Sequence, residues 1–116
     1  MALTKVTSAV LNDDAVSYDK LGSEFTTAAA IAASNVDFST AQVFTKTLAA
    51  AATLTFSNVS TGMVKDLVIT GNFALTLPAS VKVISGTYDG TVSNLIQIVS
   101  TNGSTEQWAS ISQQAV

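Results

Sequence analysis

A chain of 116 residues with one Pro and a formal net charge of -3 has the length of one domain, enough to bury a core of its own. Charged residues make up 11% of it, less than half of the roughly one quarter usual in soluble domains. With a mean hydropathy of +0.42, a monomer would expose apolar surface that other protein has to cover. His, Arg and Cys do not occur. The imidazole base, the planar phosphate clamp, the thiol nucleophile and the soft metal ligands are therefore missing, and the chain is expected not to be an enzyme. Five dispersed lysines (Lys5, Lys20, Lys46, Lys65, Lys82) and a pI near 4.4 leave no basic stripe for nucleic acid. The longest apolar stretches, Ala28 to Ala33 and Leu48 to Ala52, fall far short of the roughly 20 residues that span a bilayer. No apolar run follows Lys5 as a signal peptide would require, so no membrane association is expected.

The opening LTKVTSAVLNDDAVSYDKLG reads as an arm, residues 1–22, ahead of a β domain, residues 23–116. Asp13 or Asp14 can cap a short helix from Ala15 to Leu21, and Gly22 can close it in the left-handed conformation. Such a helix is marginal alone because nucleation is costly, so the arm needs a docking surface. Its apolar residues are Leu3, Val6, Val10, Leu11, Val16, Tyr18 and Leu21. From Ser23 to Asn35 the Ala residues favour helix while the Thr pair and Phe25 favour strand, which leaves a loop or short helix.

After Val36 the signal is β. Leu54 and Phe56 alternate with Thr53, Thr55 and Ser57, and Phe73, Leu75 and Leu77 alternate with Ala74 and Thr76, as half-buried strands do. Gly71-Asn72 lies between Leu67 to Thr70 and Phe73 to Leu77, and Asn102-Gly103 between Leu95 to Thr101 and Ser104 to Ser112. Both links suit tight hairpins. Thr61-Gly62 and Asp89-Gly90 mark further turns, and Pro78 ends its strand for want of an N–H. The spacing of these segments predicts an all-β fold, an antiparallel sandwich or jelly-roll-like domain. Ser and Thr, 30 of the 116 residues, supply polar strand faces that can pack against copies of the chain. An echo between Phe25 to Ser39 and Phe44 to Ser57 reads as compositional drift rather than a repeat.

No arrangement of side chains signals catalysis or a metal. Asp13-Asp14 are adjacent with no third acid near them, whereas a hard-cation loop needs several oxygen ligands at set spacings. Asp37, Asp66, Asp89 and Glu106 read as turn or solvent residues, and no strained elbow surrounds any Ser that a Lys could activate. Trp108, Tyr18 and Tyr88 are the residue types that stack on sugars, and of these Trp108 and Tyr88 are the candidates for a glycan site. Burial in a core or interface is the competing role for a lone Trp. Asn58-Val59-Ser60 and Asn102-Gly103-Ser104 match the glycosylation sequon, as chance allows in so Ser-rich a chain.

Two stretches, LAAAATLTFSNVSTGMVKDLVITGNFALTLPASVKVISGTYDG and NLIQIVSTNGSTEQWASIS, resemble the recurring β module of tailed-bacteriophage virion proteins. In that module a Thr-Leu-Thr-Phe-Ser-Asn strand leads to a Thr-Leu-Pro-Ala-Ser-Val-Lys strand and a Trp near the end. The opening LTKVTSAVLNDDAVSYDKLG is similar to the short amino-terminal motifs of phage fibre proteins. The resemblance implies a non-enzymatic structural protein on the virion surface, oligomeric and often trimeric, attached by its arm to capsid or tail proteins, with no cofactor. The lack of a long shaft favours a short head fibre or capsid decoration protein. A sugar-binding tail-fibre tip that uses Trp108 or Tyr88 is the alternative.

Overall fold

The computed structural model describes Asp13 and residues 15–116, so the arm positions Leu3, Val6, Val10 and Leu11 lie outside the described residues, as does Asp14. The fold is all-β with mixed parallel and antiparallel pairing. In chain order a short 3-10 turn (Tyr18–Lys20) and a four-residue helix α1 (Ser23–Thr26) precede ten strands. These are β1 (Ala29–Ala30), β2 (Asn35–Asp37), β3 (Val43–Thr47), β4 (Ala52–Thr53), β5 (Thr55–Ser57), β6 (Val64–Thr70), β7 (Leu75–Thr76), β8 (Val81–Ser85), β9 (Asn94–Asn102) and β10 (Glu106–Gln113).

Neither the expected antiparallel sandwich nor a jelly roll is what the strands build. From β1 to β7 every pairing is parallel: β1 with β3, β3 with β6, β2 with β5, and β4 with β7. The chain therefore winds as a coil of three faces, each turn laid on the one before, as in a solenoid. The hairpin expected at Gly71-Asn72 is replaced by a corner of this coil, because β6 is bonded to β3 and β9 and not to the segment that follows it. Gly71 makes the corner with φ +107°, and a Cβ there would lie 2.5 Å from the Leu48 carbonyl oxygen. The alternating run Thr53 to Ser57 is not one strand either. Leu54 is a buried corner, and β4 and β5 on its two sides pair with different neighbours. Phe73, expected to share a buried face with Leu75 and Leu77, is exposed ahead of β7.

The coil recurs in uneven steps that do not follow the register of the Phe25-to-Ser39 and Phe44-to-Ser57 echo. Phe44 lies beside Ala29, fifteen residues back, Thr55 beside Asn35, twenty back, and Asp66 beside Val43, twenty-three back. Corners of different length smear the period in sequence although the turns stack in space. Polar ladders tie successive turns. The Asn35 amide donates to Ser57 Oγ at 3.0 Å and accepts from Thr55 Oγ1 at 2.9 Å, and Thr70 Oγ1 donates to Thr47 Oγ1 at 3.1 Å. Asp37 Oδ1 accepts from Ser39 N, Ser39 Oγ and Asn58 Nδ2 at 2.7 to 3.0 Å. These donors, Asn58 first, hold the Asp37 carboxyl below the usual carboxylate range.

The second expected hairpin forms. β9 and β10 pair antiparallel through Asn102-Gly103, with a register shift at Glu106/Gln107, and Gly103 has φ +53°. This hairpin enters a sheet ordered β1-β3-β6-β9-β10-β8. Because β8 is parallel to β10 and both run antiparallel to β9, β8 points the same way as β6 and would be the coil's next strand on that face. The hairpin, from later in the chain, is inserted between them. Three strand spacings, about 14 Å, therefore separate β6 from β8. The core lies inside the coil and under the hairpin and includes Val36, Phe38, Phe44, Leu54, Leu67, Ile69, Ile96 and Ile98, all at most 2% exposed. The Phe38 and Phe56 rings meet at 5.0 Å and 45°.

In the arm, the expected helix Ala15 to Leu21 shrinks to the 3-10 turn, Ser17 precedes it without capping it, and Gly22 is extended at φ -66° rather than left-handed. Seven residues bury too little to offset helix nucleation. Gly22 instead leads into α1, within the segment expected to be a loop or short helix.

Candidate interaction surface

Along each strand of the six-stranded sheet alternate side chains point out, and register sets which of them meet. On β6, Lys65, Leu67 and Ile69 point inward, so Val64, Asp66 and Val68 point out. Val64 pairs with Val99 of β9, Val99 with Trp108 of β10, and Trp108 with Lys82 of β8. Directly opposed side chains sit with Cβ atoms about 4.5 to 5.5 Å apart, so these four form one row across four strands. The row is open: Val64 is 56% exposed, and Val99 and Trp108 are 38% each.

A polar cluster closes one end of the row. Lys82 Nζ lies 2.6 Å from Glu106 Oε2 and 5.5 Å from the centre of the Trp108 ring. The indole N–H donates to Glu106 Oε1 at 3.0 Å, and Thr101 Oγ1 donates to the same oxygen at 2.7 Å. Led by the Lys82 ammonium, then the indole N–H and the Thr101 hydroxyl, these donors pull the Glu106 carboxyl down to about 2. Glu106 is thus a structured ion-pair partner rather than the isolated solvent residue its sequence position suggests.

Next along the strands comes Asp66, whose neighbours in register are Val43 and Gln97. It is half-buried in mid-strand, not in a turn, and its Oδ1 is shielded from solvent with no hydrogen-bond partner among the described residues. Lys65 points the other way and is 7% exposed. Its amine donates to the Ala41 carbonyl at 2.8 Å and to Gln42 Oε1 at 3.0 Å. Desolvation lowers its pKa, against the attraction of Glu24.

Trp108 and Tyr88 are not brought together. Trp108 is on the outer side of β10, opposite the buried Gln107, Ala109 and Ile111. Tyr88 packs against the core with its hydroxyl donating to the Gly71 carbonyl at 2.7 Å, and burial raises its pKa. It lines a groove of about 610 Å³ with Leu75, Leu77, Val81, Val83 and Ile111, where the inserted hairpin carries the sheet past the last turn of the coil. Of the described arm positions, Val16 is 61%, Tyr18 71% and Leu21 41% exposed.

Sequence reading missed Val64, Val99 and Asp66. Val64-Lys65-Asp66-Leu67 hides its alternation because both charged residues look external, and Leu95-Ile96 and Ile98-Val99 read as buried on both faces. Among the described residues no three acidic side chains converge, and no helix is long and apolar enough to cross a membrane. The Asn58 amide of the first sequon is already engaged by Asp37. The surface belongs to an all-β chain whose parallel coil is extended by an antiparallel hairpin. No protein-family model matches this chain, and neither does any curated protein or solved structure.

Proposed function

We propose that this chain is a non-enzymatic structural protein of a bacteriophage virion, an oligomeric capsid decoration protein or short head fibre attached by its N-terminal arm. The observation that carries the reading is a pair of surfaces, each needing other protein. One is the open row Val64, Val99 and Trp108 on a nearly uncharged sheet face, and the other is the exposed Val16, Tyr18 and Leu21 of the arm. Sequence resemblance to phage β modules gives the context. A trimer suits both surfaces, since a rotation can bring different patches of neighbouring copies together.

The test uses full-length chain with Val16→Asp, Tyr18→Asp and Leu21→Asp combined, supplied to assembling particles beside wild type. Circular dichroism should be unchanged and incorporation into particles lost. Equal incorporation would place attachment elsewhere, and failure of the wild type to join any particle would remove the virion reading.

The Trp108, Glu106, Lys82 and Thr101 cluster supports a second reading, a glycan-binding module, because an indole ringed by polar groups can stack on a sugar and bond its hydroxyls. Tyr88 is not part of that site, with its hydroxyl committed to Gly71. A saturable hit on a glycan array that Trp108→Ala abolishes would favour this reading over the first.

A further inference from the structure

The outer face of the six-stranded sheet combines an apolar row with a carboxylate oxygen that lacks a donor among the described residues. Its outward charged side chains are Asp66, in the middle, and the Lys82–Glu106 pair at the margin, which neutralises itself. Asp66 carries an oxygen with no donor among the described residues; Val43 and Gln97 lie opposite it in register, and Val64 and Val68 precede and follow it on the same face of β6. A carboxylate oxygen shielded from water without a donor is costly until one reaches it, and a cationic donor also answers the charge. The face therefore fits an apolar segment bearing one positive charge.

We propose that the occupant is the outer part of the N-terminal arm, residues 1–12, of a second copy of this chain, its apolar side chains on the row Val64, Val99 and Trp108 and its Lys5 facing Asp66. The inference rests on the oligomeric part of the reading above and on neither its virion nor its glycan part.

Three observations select this occupant. The stretch Met1 to Asn12 has the required chemistry, with Leu3, Val6, Val10 and Leu11 around one charged side chain, Lys5. The chain also leaves the body at the margin of this face, since Glu24 and Phe25 of α1 line one pocket together with Val64 and Lys65. Finally, the described part of the arm leaves its apolar side chains unburied by its own body, with Val16, Tyr18 and Leu21 all more than 40% exposed. The fourteen residues ahead of Ala15 reach roughly 45 Å when extended, enough to cross a neighbouring sheet.

Trp108 is the chain's single tryptophan and ends the row, so its emission reports whether the row is covered. Acrylamide quenching and sedimentation are measured on full-length protein from nanomolar to hundred-micromolar concentration. Quenching should fall several-fold as the larger species forms. Lys5→Glu and Asp66→Lys should each move the association midpoint at least tenfold higher, and the two together should bring it back. Circular dichroism checks that each variant is folded. Should Asp66→Lys unfold, Asp66→Asn replaces it, and in that background Lys5→Glu should have no further effect.

Protection of Trp108 that persists in a sedimenting monomer would mean that the arm covers its own chain, and it overturns the proposal. So does association that leaves Trp108 equally quenched, or association and protection that ignore Lys5→Glu. A chain that associates through this arm yet joins no particle would remove the virion reading and leave this inference standing.

Discussion

The coil from β1 to β7 and the hairpin β9–β10 sit side by side in one sheet, yet they are held in different ways. The hairpin pairs strands joined by a few residues, so its contacts are local and one turn sets its register. The coil pairs each strand with one fifteen to twenty-three residues away, and register depends on several corners being right at once. Glycine shows the contrast directly. Gly71 turns a corner against the Leu48 backbone, where an added Cβ would collide, while the nearest atom to a Cβ at Gly103 in the hairpin is 3.9 Å away.

The strongest way to break the coil is through its core. Phe38, fully buried and packed on Phe56, joins the first turn to the second. Phe38→Ala should cost about 3 to 5 kcal/mol in urea unfolding, as large-to-small core changes do. A loss below about 1 kcal/mol would mean that the coil adds little to the cooperative unit.

The comparison sharpens with matched glycine substitutions. Gly71→Ala meets backbone at 2.5 Å in addition to its left-handed φ, so it should exceed the roughly 1 to 3 kcal/mol of backbone strain alone. Gly103→Ala carries strain without collision and should stay near 1 kcal/mol. Equal thermal shifts from the two would contradict the distinction between corner and hairpin turn.

A smaller effect probes the seam between hairpin and β8. The Glu106 carboxyl titrates near 2 in the folded chain, below its ordinary 4.5, so the Lys82–Glu106–Trp108 cluster stabilises fully above about 4.5. That contribution is lost as pH falls through about 2. Trp108 fluorescence should change in this window before far-ultraviolet dichroism does, and Glu106→Gln should remove the change. A fluorescence midpoint at or above 4.5 in the wild type would show that the cluster does not hold the carboxylate.

Alternation together with a true hairpin turn made the antiparallel pair legible. β9 and β10 around Asn102-Gly103 were expected and are present, and so are turns at Thr61-Gly62 and Asp89-Gly90. The failures have definite causes. Gly71-Asn72 has hairpin chemistry, but the strand that β6 prefers is β3, more than twenty residues earlier. Leu54 keeps the period of a strand while bending the chain, because a buried apolar corner and a buried strand position present the same letter. In the candidate surface, Trp108 was recognised as a residue of interest, yet its row partners Val64 and Val99 were not, since register alone makes them neighbours.

Composition and alternation by themselves determined the β class, the scarcity of surface charge and the positions of the hairpin and several turns. Each of these depends on residue type or on side chains adjacent in the chain. Tertiary structure decided that β1 to β7 wind in parallel, that the hairpin enters between β6 and β8, and that Asp66 lies between Val43 and Gln97 while Lys65 turns inward. Those outcomes hinge on which distant backbone edges bond and on how each corner packs, and these energies arise only once the turns of the coil are in contact.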